Sequence, residues 1–155
     1  MNKLIIFPLL IVVIIATAVI VTYRKNSEQT INCRGEVSIK RGTDRLNMVV
    51  AQQLNAGDGT VSLSGVLYRG DDIAGYLSKT VSFTYDKDGD LYRLKSAHII
   101  NSPQMTLPAD TERAWLPTFF IDEGTPHTLE IKPYGNHSWL IYSHTVPIFI
   151  CEKNL

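Results

Sequence analysis

The sequence lacks an excess of charge of either sign. Its 155 residues include 15 lysines and arginines against 15 aspartates and glutamates, and charged residues make up only 19% of the chain. Proteins that bind nucleic acid usually present a basic surface to the phosphates, so this composition argues against direct nucleic-acid binding. The hydrophobic share of 45% argues against intrinsic disorder, and the length fits one folded domain.

The residue patterns of enzymes and metalloproteins are also missing. The four histidines, His98, His127, His137 and His144, show no spacing typical of a metal site, and the aspartate-rich stretch 86–90 does not follow the calcium-loop pattern. No serine or cysteine stands in a base-assisted nucleophile motif, and no glycine-rich phosphate loop is present. We therefore expect no metal, no other cofactor and no enzymatic activity.

One long hydrophobic run stands at the start of the chain. Leu4 to Val21 contains 18 uncharged residues, which would form a helix about 27 Å long, enough to cross a bilayer. A cleavable signal peptide is the alternative, because residues 16–18 form an A-x-A cleavage pattern. The apolar residues that continue after Ala18 favour a retained anchor. We predict a cytoplasmic tail at 1–3, a transmembrane helix at 4–22, a linker at 23–32 and a β-rich domain at 33–155.

The orientation of this anchor depends on the cysteines, because cations flank the hydrophobic run on both sides. Cys33 and Cys151 are the only two cysteines and lie near the ends of the predicted domain, as expected for a disulfide in an oxidising compartment. Such a bond would close a loop of 119 residues and stabilise the fold by about 3 to 5 kcal/mol. Two buried free thiols are the alternative. We expect a single-pass inner-membrane protein with its C-terminal domain in the periplasm.

Alternating apolar and polar residues predict that the domain consists of antiparallel β-strands. The clearest strand is Ile73 to Tyr85, and glycine- and aspartate-containing turns separate it from its neighbours. Leu46 to Leu54 also fits a helical stripe, although the turn that follows it favours a hairpin. We predict an all-β or β-rich α+β fold with seven or eight strands, forming a small antiparallel barrel or a strongly curved sheet.

A long proline-rich loop at 103–126 interrupts the predicted sheet, with room for one short helix around Asp110 to Leu116. Long loops in compact domains often form lids or binding surfaces. The apolar and aromatic residues of this loop and of the last strands are the candidate surface for a ligand or partner, unless they simply fill the barrel end as core. The candidates are Trp115, Leu116, Phe119, Phe120, Trp139 and Tyr142.

Several short motifs together resemble those of a known family. The Cys33-x-Gly35 entry, the Gly65-Val66-Leu67 strand and the closing sequence 149–153 accompany the short tail and single anchor. In this combination the chain resembles the FidL-like family of membrane proteins of Gram-negative bacteria over essentially its whole length. The resemblance implies a ToxS-like accessory partner of ToxR-type or CadC-type regulators, single-pass proteins with a cytoplasmic winged helix. In some analogous pairs the joint β-barrel binds bile salts, and the family supplies no catalytic residues.

Three functional hypotheses follow. The leading hypothesis is a membrane-anchored accessory protein that binds and modulates a membrane-bound winged-helix regulator, because a tail of three residues cannot signal in the cytoplasm alone. The second is a stand-alone periplasmic module for an apolar or amphipathic ligand. The third is a structural protein of the cell envelope.

Overall fold

The computed structural model describes residues 13–17 and 30–154. Residues 13–17 are helical and exposed, and Ile31–Leu155 forms a separate compact unit. The predicted cytoplasmic tail at 1–3, most of the transmembrane segment at 4–22 and most of the linker at 23–32 lie outside the described residues. Within the described ranges, no helix is both long enough and apolar enough to cross a membrane.

The compact unit contains eight β-strands. They are β1 (Ile31–Arg41), β2 (Asp44–Asn55), β3 (Asp58–Arg69), β4 (Asp72–Asp88), β5 (Leu91–Asn101), β6 (Pro126–Tyr134), β7 (Ser138–Ser143) and β8 (Val146–Lys153). Each strand pairs antiparallel with the next, and β8 returns to β1, so the sheet closes into a barrel. The prediction of a small antiparallel barrel is thus confirmed.

The closure between β8 and β1 is short and is reinforced by a covalent bond. Cys33 pairs with Lys153 and Arg34 pairs with Glu152, and the described part of this ladder contains no further pairs. A disulfide joins Cys33 to Cys151, with 5.3 Å between their Cα atoms, and both side chains are fully buried. The predicted disulfide is confirmed.

The strands form where the sequence alternates, because every second side chain of a strand points into the barrel. On β4, Leu77, Val81 and Phe83 are buried in the core. Tight turns connect the first five strands. In the turn between β2 and β3, Ala56 and Gly57 both have positive φ, the geometry that a two-residue hairpin of this hand requires.

The preference for a β-hairpin at Leu46 to Leu54 is confirmed, since this stretch lies within β2, which pairs with β3. Other strands extend into residues that are typical of turns. β4 extends through Asp88, so that only Gly89 and Asp90 of the aspartate-rich stretch 86–90 form the turn. Pro133, a residue type that is common in turns, likewise lies within β6 and pairs with Trp139. In each case the pairing strand fixes the backbone beyond the point where turn-forming residues begin.

Residues 102–125 connect β5 to β6 and are called here the connecting segment. Their N-terminal part runs beside β4, where Thr106 exchanges hydrogen bonds of 2.8 and 3.0 Å with the backbone of Tyr76. Gly75 permits this close approach, because a Cβ atom there would lie 2.7 Å from Leu107 Cδ2. The segment then forms a seven-residue helix, Ala109–Trp115, and a 3-10 turn, Thr118–Phe120. The predicted short helix is therefore present.

Candidate functional site

The barrel contains a cavity of about 550 Å³ beneath the connecting segment. Its wall is mainly apolar, with residues from all eight strands and from the segment. Representative wall residues are Val37, Val50, Leu63, Phe83, Leu129 and Ile141. This volume lies within the usual range of small-molecule sites.

Four of the six candidate residues from the sequence line this cavity. Trp115, Leu116, Phe119 and Phe120 all come from the connecting segment. Phe119 is 1% exposed and contacts Phe83 of β4 edge to face, with ring centroids 5.7 Å apart. The segment therefore supplies one wall of the cavity and also part of the core, so the two alternative roles of these residues occur together.

The other two candidates, Trp139 and Tyr142, are not among the residues that line the cavity. Trp139 is half-buried against the core and pairs with Cys151 across β7 and β8. The ammonium group of Lys132 lies over the ring of Tyr142, 5.0 Å from its centre, in a cation–π contact. Glu130 raises the pKa of that lysine by hydrogen bonding. Tyr142 thus belongs to a polar cluster on the outer face, because its neighbour Ile141 points inward.

Arg41 fastens the helix of the connecting segment to the end of β1. Its guanidinium donates to the carbonyl oxygen of Ala114 and lies 5.0 Å from the centre of the Trp115 ring. Arg41 and Trp115 both line the cavity. This contact places a cation at the rim, next to an aromatic wall.

A buried ion pair fastens the same helix to the opposite side of the barrel. Lys79 of β4 donates to Glu112 of the helix and to the backbone carbonyl of Phe120. The two side chains are only 2% and 8% exposed. Lys79 is in phase with Leu77 and Val81 and so points inward, but it is not among the candidate residues from the sequence. An isolated lysine at an inward position was the available signal, because a buried charge requires a partner.

The C-terminal part of the connecting segment is held by charged and polar contacts. Arg113 forms a bidentate pair with Asp122, with both N···O distances at 3.0 Å. The hydrogen bonds from this guanidinium lower the pKa of the Asp122 carboxyl group, and Asp122 in turn raises the pKa of Arg113. Ser96 of β5 is buried and bonds the backbone of Asp122 and Thr125. The segment is thus bonded to the barrel at both of its ends.

His127 is the one histidine of the cavity wall. Its ring lies 5.3 Å from Phe119 and 6.4 Å from Phe120, centre to centre. Burial lowers the pKa of His127, and the nearby His144 lowers it further. The imidazole is therefore neutral at pH 7, since its ordinary pKa of about 6.5 is already below that value.

The cavity reaches the seam between β1 and β8. This seam consists of residues 37–41 of β1 and 146–150 of β8, and the described residues show no ladder pairs between these two ranges. Ile39 and Arg41 line the cavity on one side of the seam, and Ile148 and Phe149 line it on the other. Val146, Ile148 and Ile150 of β8 are 63%, 41% and 42% exposed. Exposed apolar side chains therefore border the seam.

Comparison with known proteins places the chain in a family. Residues 30–151 match the model of the YqeJ C-terminal domain, which covers all eight strands up to Cys151, and the chain belongs to that family. No curated protein matches the chain.

Proposed function

We propose that this YqeJ C-terminal domain protein is a membrane-anchored accessory protein that binds and modulates a membrane-bound winged-helix transcriptional regulator. In this proposal, residues 4–22 anchor it in the inner membrane and the barrel lies in the periplasm. The Cys33–Cys151 disulfide supports an oxidising compartment, because such bonds persist mainly outside the cytoplasm. The FidL-like and ToxS-like resemblance of the sequence supports the choice of partner.

The observation that carries the proposal is the β1–β8 seam. A strand edge without a ladder partner offers its N–H and C=O groups to another chain, and proteins use such edges for strand addition. The exposed apolar residues Val146, Ile148 and Ile150 lie beside this edge and would supply the side-chain contacts. Anchoring both proteins in one membrane raises their effective concentration, so that a modest interface is sufficient.

Photo-crosslinking in living cells tests this proposal at single residues. A photoreactive amino acid replaces Ile148 at the seam or, as the matched control, Tyr134, which is 53% exposed on β6. We expect Ile148 to attach to a single-pass winged-helix regulator and Tyr134 not to attach. Deletion of the protein should also change the transcription of that regulator's targets. Attachment of no regulator from Ile148, together with unchanged transcription of membrane-regulator targets, would contradict the proposal.

The cavity supports a second candidate function, the binding of an apolar or amphipathic small molecule. A volume of about 550 Å³ inside an apolar wall can enclose such a molecule. Bound ligand should stabilise the full chain by about 2.7 kcal/mol at a hundredfold excess over Kd.

A filled cavity tests this second function. Val50→Phe on β2 places a larger side chain in the cavity, whereas Val49→Phe places it on the outer face of the same strand. We expect the first variant to lose the thermal stabilisation by detergents and fatty acids, and the second to keep it. The same response in both variants would exclude the cavity as the binding site.

A further inference from the structure

Gln52 is an unusual residue in the wall of the cavity. It is 6% exposed, and its Nε2 atom has no hydrogen-bond partner among the protein groups of the described chain. Leaving a buried donor without a protein partner lowers the stability of a fold, so such groups often have a functional reason. Gln52 also lines the cavity. Less than 1 Å² of its Nε2 atom is exposed, so a bound molecule reaches the amide when the side chain rotates towards the cavity.

The packing around Gln52 gives no structural reason for a polar residue. It pairs with Cys33 on β1 and with Val61 on β3, both buried. Val50 and Leu54, which precede and follow it on the inward face of β2, are buried as well. A leucine would fit this environment, so the amide group is the feature that requires an explanation.

The opposite end of the cavity carries positive charge. Arg41 and Arg113 are the arginines in its lining, and no aspartate or glutamate of the described residues joins them there. Arg113 is already paired with Asp122, whereas Arg41 donates to the neutral carbonyl of Ala114. Cys33 of β1 pairs with Gln52, and Arg41 lies at the other end of β1. At ~3.3 Å per residue, Cys33 and Arg41 are about 26 Å apart along the strand. The cavity thus has a cationic end and a distant amide donor.

We propose that the cavity binds an elongated anionic amphipath whose apolar chain carries a hydrogen-bond acceptor at its far end. The carboxylate lies at Arg41, the chain fills the apolar interior, and the distal oxygen accepts a hydrogen bond from Gln52 Nε2. This inference rests on the small-molecule function proposed for the cavity and adds the ligand class and the residue that selects it. An unsubstituted chain leaves the Gln52 donor without a partner and therefore binds less tightly.

Two homologous series of ligands test the inference. Straight-chain fatty acids from octanoate to hexadecanoate are compared with their ω-hydroxy derivatives, using the full chain in lipid nanodiscs. The readout is the fluorescence of its two tryptophans, of which Trp115 lies in the cavity wall. The variants are Gln52→Leu and the control Gln53→Leu, whose site is exposed on the same strand. Partition of each ligand into the lipid is the same for all three proteins, so it cancels in their comparison.

We expect the ω-hydroxyl group to raise affinity about threefold to tenfold at one chain length, in the unmodified protein and in Gln53→Leu. In Gln52→Leu this gain should vanish, while the affinity for the unsubstituted acid is kept. If the ω-hydroxyl group raises affinity at no chain length, or raises it equally in Gln52→Leu, only the proposed role of Gln52 is overturned. Failure of both series to bind would instead refute the small-molecule function of the cavity, and this inference with it.

Discussion

The barrel has two regions that are held together in different ways. From β1 to β5 the strands are 11 to 17 residues long, and their ladders contain 10 to 12 residue pairs. From β6 to β8 the strands are only 6 to 9 residues long, with 5 or 6 pairs in each ladder and 2 pairs at the closure to β1. The first region is stabilised by long ladders of backbone pairs, whereas the second has short ladders and is linked to β1 by the disulfide.

This difference explains where the barrel can bind other molecules. The long ladders leave few backbone groups unpaired, at one bulge in each of the β3–β4 and β4–β5 ladders. The short closure leaves the β1–β8 seam without ladder pairs, and the cavity meets the seam at Ile39 and Ile148. The proposed partner surface therefore lies where the pairing is shortest, and the cavity, which is lined by all eight strands, reaches the same place. This agrees with the rule that binding surfaces come from the less stable parts of a fold.

Removal of the disulfide should have the largest effect on this contrast. In Cys33→Ala/Cys151→Ala we expect a loss of about 3 to 5 kcal/mol in the free energy of unfolding, because the unfolded chain regains the entropy of a 119-residue loop. Chemical denaturation of the full chain, with and without reductant, measures this loss.

Hydrogen exchange shows whether the effect is regional. Amides of β7 and β8 should lose protection in the cysteine variant, while those of β2 and β3 keep most of theirs. Equal losses of protection in both regions would mean that the barrel unfolds as one cooperative unit and that the two regions do not differ in local stability.

Breaking the buried ion pair tests how the connecting segment is attached to the long-stranded region. Lys79→Met alone leaves the Glu112 carboxylate buried without its cation, so we expect a loss of about 3 kcal/mol. The double variant Lys79→Met/Glu112→Leu should recover most of this loss, because it removes both charges. A double-mutant cycle from denaturation curves gives the coupling energy, and additive effects would show that the pair contributes no coupling.

Gly35→Ala should weaken the short closure more moderately. A Cβ atom at this position would lie 2.3 Å from the carbonyl oxygen of Ile150 and 2.5 Å from the Phe149 ring, so β8 must move away. We expect a loss of about 2 kcal/mol, typical of overpacking. Glu36→Ala, on the exposed face of the same strand, is the control and should change the denaturation midpoint little. If Gly35→Ala is as stable as the control, β8 can move away from β1 without a loss in the free energy of unfolding.

The same contrast marks what the sequence could predict. In the long-stranded region, alternation and tight turns predicted the strands well. The alternating apolar and polar residues around Leu77 and Phe83 are sufficient to indicate that these two side chains are buried. The disulfide was predictable because only two cysteines exist and each is in phase with a terminal strand. Contacts between residues far apart in the sequence were harder to predict. Turn residues such as Asp86 lie within β4 because pairing with β5 extends the strand.

The candidate site was predictable in part for the same reason. Trp115 and Phe119 stand out as apolar residues in a proline-rich loop, and both line the cavity. Lys79 and Glu112 are 33 residues apart, and nothing in the local pattern of either one identifies the other. Gln52 is polar at an inward position, but only the three-dimensional structure reveals that its Nε2 atom has no protein partner.

The smallest expected effect concerns pH and the wall contributed by β6. Burial lowers the pKa of His127 in the folded protein, whereas in the unfolded chain it is about 6.5. Between these two values the unfolded chain binds more protons, so stability falls as the pH drops below about 6.5 and is unaffected by this group at higher pH.

His127→Phe should flatten the decline, because phenylalanine retains the contacts with Phe119 and Phe120 and does not titrate. Denaturation midpoints at pH values between about 5 and 8 measure the slope, with His137→Phe, at an exposed position, as the control. Equal slopes in the two variants would show that the acid sensitivity of the short-stranded region arises from groups other than His127.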